Sequence, residues 1–299
     1  MPCVQVGGIE IDYAERGDAA APAFVLLRGL GTQRIHWPDP LLEGLADRGF
    51  RVITPDNRDV GGSQKFEAAG MPDVAGAMAR LARGEPVDVP YGLPDMAADV
   101  VGLLDALGVE RAHLMGMSMG GMVAQHVAAR SGERLHSLTS VMSSSGAPDV
   151  PPAKPEAMAA LLAQPEDPSS RESVVDHNVW VQRTIGSPGY PTDEAVLRER
   201  AAAAYDRCHY PVGVARQFLA VLADGSRVDL LRKIDVPTLV IHGEDDPLVP
   251  LEGGRSTAEH VRGARLHTIP GMGHDLPLAL VDVYVELLSE HARSAGQSG

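Results

Sequence analysis

Thiols are nearly absent from this chain. Cys3 and Cys208 are its only cysteines in 299 residues, too few for a disulfide framework. Aromatic residues make up only 4%, so a core must be built mainly from Leu, Val, Ala and Met. Cations are in deficit: 26 Lys and Arg face 40 Asp and Glu, a formal net charge of −14. That balance argues against nucleic acid or an anionic membrane as partner, since both are held chiefly by Lys and Arg. No apolar run approaches the length of a membrane span, and no charged segment followed by an apolar stretch opens the chain. A cytoplasmic protein that acts on a small molecule, as monomer or homodimer, is the expectation. Internal repeats and low-complexity tracts are also missing.

What is present is ample for a large α/β core, at 44% apolar residues. Residues 4–6 and 9–13 alternate around Gly7-Gly8 and predict a hairpin. Ala23-Phe24-Val25-Leu26-Leu27 reads as a strand buried on both faces, followed by the loop Arg28-Gly29-Leu30-Gly31. A helix over 41–48 and a strand over 51–55 follow. Residues 64–92 are less regular, with one helix over 74–83 between Pro72 and Pro86. A helix over 94–107 starts at Pro94 and stops at Gly108. Strands are expected over 111–116 and 135–142, with a helix over 121–130 between them. Residues 143–229 lack a convincing strand and carry helical patterns over 157–163, 171–185, 192–205 and 212–223. After them come strands over 238–242 and 265–269 and helices over 254–261 and 276–293, with residues 294–299 a frayed tail. The alternation implies a mostly parallel sheet with helices on both faces. Residues 1–142 and 230–299 form the expected core domain, and residues 143–229 a helical insertion.

The densest chemical signal is Gly116-Met117-Ser118-Met119-Gly120. A serine sits on a strand-to-helix turn with glycine two residues to either side, which is the G-x-S-x-G nucleophile elbow. A chain bending that sharply leaves no room for Cβ atoms, and the helix N-terminus behind it favours developing negative charge. A serine hydroxyl needs a base, and the base needs an orienting group. In this context the order is Ser…Asp…His. Two later strand ends on the same rim supply candidates: Gly243-Glu244-Asp245-Asp246-Pro247 and Pro270-Gly271-Met272-Gly273-His274. His274 is the expected base. His260 falls in a helix, His267 in a strand and His291 near the tail. Asp246 is the expected acid, with Asp245 and Glu244 as rivals that spacing does not separate. The backbone N–H groups of Met119 and Leu30 are the expected oxyanion donors. Arg28 must find a carboxylate, Asp56 or Asp59, or meet substrate.

In these motifs the chain resembles the α/β-hydrolase family, and the resemblance runs through Arg28-Gly29-Leu30-Gly31, the Asp56-to-Ser63 turn, the elbow, Gly243–Asp246 and Gly271–His274. Within the family, Trp37-Pro38-Asp39, the Asp56 turn, the elbow and residues 270–277 resemble the serine carboxylesterase branch that contains aclacinomycin methylesterase. The resemblance implies an eight-stranded sheet with a helical cap inserted after strand six, and it favours Asp246 in the acid position. Ester hydrolysis is the function implied, with no cofactor. Arg28 stands where related loops often carry His.

Lactone hydrolysis, C–C cleavage of β-diketones and cofactor-free perhydrolysis use the same triad and remain alternatives. A non-catalytic receptor on this scaffold is a different class of reading. A metal-dependent hydrolase would need ligands; His242-x-Glu244-x-Asp246 offers N and O donors but lacks a second cluster, so no metal is expected. Candidate pocket residues are Leu30, Trp37, Met117, Met119, Ser144, Trp180, Tyr205, His209, Phe218 and Leu248. His177 and His209 have no assigned role.

Overall fold

The computed structural model describes residues 2–296. Its eight strands are β1 (Cys3–Val6), β2 (Ile9–Arg16), β3 (Ala23–Leu27), β4 (Arg51–Pro55), β5 (Ala112–Met117), β6 (Leu135–Val141), β7 (Thr238–Gly243) and β8 (Arg265–Ile269). They form one sheet in the order β1-β2-β4-β3-β5-β6-β7-β8. The first two pairings are antiparallel and the rest parallel. The fold class is therefore the α/β arrangement that the alternating pattern predicts.

The helices in chain order are α1 (Asp39–Asp47), α2 (Val74–Ala82), α3 (Leu93–Ala106), α4 (Met119–Arg130), α5 (Pro155–Leu162), α6 (Arg171–Ile185), α7 (Glu194–Arg207), α8 (Pro211–Asp224), α9 (Val228–Leu231), α10 (Leu251–His260) and α11 (Val281–Gly296). Strand periodicity splits the core into two layers. Ala23, Val25 and Leu27 of β3 face α3 and α4, while Phe24 and Leu26 face α1 and α11. Burying both faces of β3 explains its uninterrupted apolar run.

Several boundaries move for local reasons. Helix α4 begins at Met119 rather than residue 121, directly behind the turning serine. Asp193 caps α7 by accepting from the Ala195 amide at 2.7 Å, so that helix starts at Glu194 and runs on to Arg207. The closing helix starts at Val281, after a tight 3₁₀ turn over Leu278–Leu280. It runs through Gly296, and the remainder of the expected frayed tail, residues 297–299, lies outside the described residues.

Helices α5 to α8 lie between β6 and β7 in the chain. One anchor to the core is Arg216 of α8. It pairs in fork geometry with Asp59 of the loop after β4, Nε to Oδ2 at 2.7 Å and Nη2 to Oδ1 at 2.9 Å, with both side chains fully buried. Tyr91 and the Phe66 amide donate to the same carboxylate. Arg207 of α7 makes a second anchor through Asp12 and Asp56 at 2.9 and 2.6 Å.

Candidate active site

The turn after β5 carries the elbow serine. Ser118 takes φ 56° and ψ −122°, a strained conformation for a residue with a Cβ, worth on the order of 1–3 kcal/mol. Its neighbours leave no alternative. A Cβ on Gly116 would collide with the Gly120 carbonyl, and one on Gly120 would meet the Arg28 carbonyl at 2.6 Å. The strand end, the helix start and the β3 loop are thus in backbone contact, and the serine hydroxyl is what projects from them.

Three expected residues meet there. His274 follows β8, and its Nδ1–H donates to Asp246 Oδ2 at 2.7 Å. That bond leaves Nε2 as the acceptor for the Ser118 hydroxyl, 2.9 Å away. The remaining oxygen of Asp246 accepts the amides of Leu248 and Val249 at 2.9 and 2.8 Å, which fixes the carboxylate plane. Asp246 and His274 are both buried. The rival acids turn elsewhere: Asp245 accepts the Gly271 amide at 2.9 Å, and Glu244 accepts the Thr268 hydroxyl at 2.7 Å. His242 is held by its Nε2 to the Val249 carbonyl at 2.8 Å, with Asp246 Oδ2 3.7 Å away, while Glu244 turns to Thr268. Burial keeps His242 below the usual histidine range.

The loop after β3 lies against the serine. A Cβ on Gly29 would sit 3.1 Å from Ser118 Cβ, so glycine eases this close approach. Gln217 of α8 takes the Gly31 amide at 2.8 Å, and the Gly29 carbonyl takes that of Thr32 at 3.3 Å. Among the described residues the Leu30 amide has no protein acceptor. The Met119 amide, at the first position of α4, has none within its helix.

The other expected pocket residues divide. Met117 immediately precedes the serine and is buried. Leu248 follows the acid and holds it through its amide. Trp37 is buried beneath the Arg28 guanidinium, 4.5 Å from Cζ to the ring centroid. Ser144 is occupied differently: its carbonyl accepts Arg227 Nη2 at 2.8 Å and its side chain packs on Gly253. Tyr205, in the last turn of α7, stacks on His209 beyond the helix end at 4.7 Å. Trp180 lies on the outer side of α6. Val174, Val175, Val179 and Ile185 form the buried stripe of α6, which leaves Trp180 47% exposed, in an outer groove with Glu166, Ser170 and His177.

A further group of residues gave no sequence signal. The segment between α6 and α7 grips the histidine loop backbone to backbone. The His274 amide donates to the Ile185 carbonyl at 2.7 Å, and the Gly189 amide to the Gly271 carbonyl at 2.8 Å. Ser187 Oγ accepts the Gly273 amide at 2.9 Å and donates to Asp275. Burial raises the Asp275 carboxyl above the usual range. Ser187-Pro188-Gly189 reads locally as an ordinary loop; only its contacts reveal its place.

A family model described as the alpha/beta hydrolase fold matches residues 22–278. A rhodomycin D methylesterase from Streptomyces sp. strain C5 is 29% identical, over 93% of each chain. A human serine hydrolase is 28% identical, covering 96% of this chain and 84% of its own. Among solved structures, an enol-lactonase from Burkholderia xenovorans LB400 superimposes with a TM-score of 0.72 at 23% identity, covering 97% of this chain and 99% of the other.

Proposed function

Since the chain belongs to the α/β-hydrolase family, we propose that it is a serine carboxylic-ester hydrolase in which Ser118, His274 and Asp246 work as a triad. The observation that carries the reading is the continuous path from Asp246 Oδ2 through the imidazole to Ser118 Oγ, with links of 2.7 and 2.9 Å. The likeness to a rhodomycin D methylesterase over 93% of both chains supports ester cleavage as the reaction.

Ser118 attacks the ester carbonyl while His274 Nε2 takes its proton. The Leu30 and Met119 amides hold the oxyanion, and each such donor is worth about 2.7–4 kcal/mol of barrier. His274 then protonates the leaving alcohol, and an acyl-serine remains. Water, deprotonated by His274, releases the acid and restores the hydroxyl. Asp246 holds the imidazole in the tautomer that accepts at Nε2 and offsets its transient positive charge. No step calls for a metal or cofactor.

The test is turnover of p-nitrophenyl acetate and butyrate beside that of a vinylogous β-diketone. Ester hydrolysis by wild type, lost by several orders of magnitude in Ser118→Ala, is expected. Cleavage of the diketone alone would replace this reading with C–C bond hydrolysis.

A further inference from the structure

Arg28 closes β3 and precedes the glycine that touches Ser118. Its guanidinium is poorly satisfied. Nε is buried without a partner, Nη1 reaches only the Met117 sulfur at 3.5 Å, and the ring of Trp37 covers one face. Five N–H donors are not met by a thioether and a π-cloud. The acids expected for it are engaged elsewhere. Asp56 accepts Arg207 Nη2 at 2.6 Å, the Arg34 amide at 2.6 Å and the Gly62 amide at 2.8 Å, and Asp59 is held by Arg216.

The charge of Arg200, in the cap, also reaches Arg28. Arg200 of α7 is half-buried and bonds to no carboxylate among the described residues. Burial first, and repulsion from Arg200 second, hold Arg28 down at about 10. Burial, then Arg28, drive His36 down to about 4, with a smaller push from Arg200. His36 is therefore neutral near pH 7 and adds no further positive charge. A buried guanidinium without an acid partner is costly, all the more notable in a chain with 40 acidic residues and a net charge of −14.

We propose that Arg28 and Arg200, one from the core and one from the cap, form an anion subsite beside Ser118, so that the ester substrate carries a carboxylate close to its scissile bond. The inference rests on the esterase reading above and names its substrate class. A carboxylate there would fill the fork geometry of Arg28 and would span core and cap once bound. Met117, whose sulfur touches the guanidinium, is the residue before the nucleophile, so the subsite and the scissile carbonyl are separated by only a short chain.

The test uses the purified full chain and two matched pairs of esters. Mono-p-nitrophenyl glutarate against p-nitrophenyl valerate places the charge on the acyl side. 4-Carboxyphenyl butyrate against 4-carbamoylphenyl butyrate places it on the alcohol side. The expected result is a preference for the anionic member of one pair of about tenfold or more in kcat/KM, a size reasonable for one charge-assisted recognition contact. Arg28→Gln and Arg200→Gln should each cut that ratio by about tenfold. Arg200→Gln keeps the test open if Arg28→Gln does not fold. Equal or better turnover of the neutral member in both pairs, or a ratio unchanged in the folded variants, overturns the subsite while leaving the esterase intact. Inertness towards all four esters, with no acylation of Ser118, removes the esterase reading itself.

Discussion

Replacing Arg216 by Met removes one half of a fully buried ion pair and leaves the other half in place. Asp59 then keeps its donors from Tyr91 at 2.7 Å and the Phe66 amide at 2.8 Å but loses both guanidinium bonds. Burial by itself raises the Asp59 carboxyl, and Arg216, the Phe66 amide and Tyr91 together bring it below the usual range. Arg216 also gives up the Gly70 carbonyl at 2.6 Å and the Tyr210 hydroxyl at 2.8 Å. Breaking a buried pair from one side typically costs about 3–5 kcal/mol, which in a chain of this size corresponds to a fall of roughly 10 °C in Tm. Thermal melts followed by circular dichroism and by Trp fluorescence would measure it. Removing both partners is the control. Arg216→Met with Asp59→Leu leaves no stranded charge, so it should recover a large part of the loss. Activity should suffer beyond stability, because the neighbouring Gln217 holds the Gly31 amide of the loop that lies against Ser118. An Arg216→Met protein melting within about 1–2 °C of wild type would refute the view that this pair pins the cap to the sheet.

Asp246→Asn should lower kcat on p-nitrophenyl butyrate by about 10³–10⁴-fold. Its oxygen would stay with the Leu248 and Val249 amides and its NH₂ would face His274 Nδ1, forcing Nε2–H towards the serine; a loss under tenfold contradicts this. Ser187→Ala should cut kcat by about tenfold with KM nearly unchanged, since displacements well under 1 Å in a catalytic group are costly. Ser187→Thr should rescue it, and a shifted acid limb in the pH–rate profile would separate positioning from simple loss of fold. His113 is buried against Ser137, and burial, followed by His136, holds it down to about 4. The unfolded chain binds that proton near 6.5 and the folded chain does not, so stability falls as pH drops from 6.5 towards 4. The full effect is about 3 kcal/mol. Melts at pH 7.5 and 4.5 should show the drop, and a smaller one in His113→Gln.

The sheet was legible because its central strands are short apolar runs bounded by Gly, Pro or Asp, as in Ala23–Leu27 and Arg51–Pro55. The positions of Ser118, Asp246 and His274 were legible for a related reason: each stands at the end of a parallel strand, so topology alone puts them on one rim. The cap was legible as helix but not as surface. Trp180 was among the expected pocket residues; four aliphatic residues of α6 form its buried stripe, and Trp180 is half exposed. Contacts between distant segments left no local trace. Arg216 with Asp59 spans 157 residues, and Ser187 with Asp275 spans 88. Arg28 was recognisable as a problem in the sequence, since a buried guanidinium needs an answer. Which acids were already engaged could be read only from the folded chain.

The most direct measurement of the central claim is intact-protein mass after treatment with a fluorophosphonate, followed by peptide mapping. Stoichiometric addition at Ser118 in wild type, slowed by several orders of magnitude in His274→Ala and absent in Ser118→Ala, is the predicted result. Equal labelling rates in wild type and His274→Ala, or modification that maps to another residue, would contradict a serine activated by that histidine.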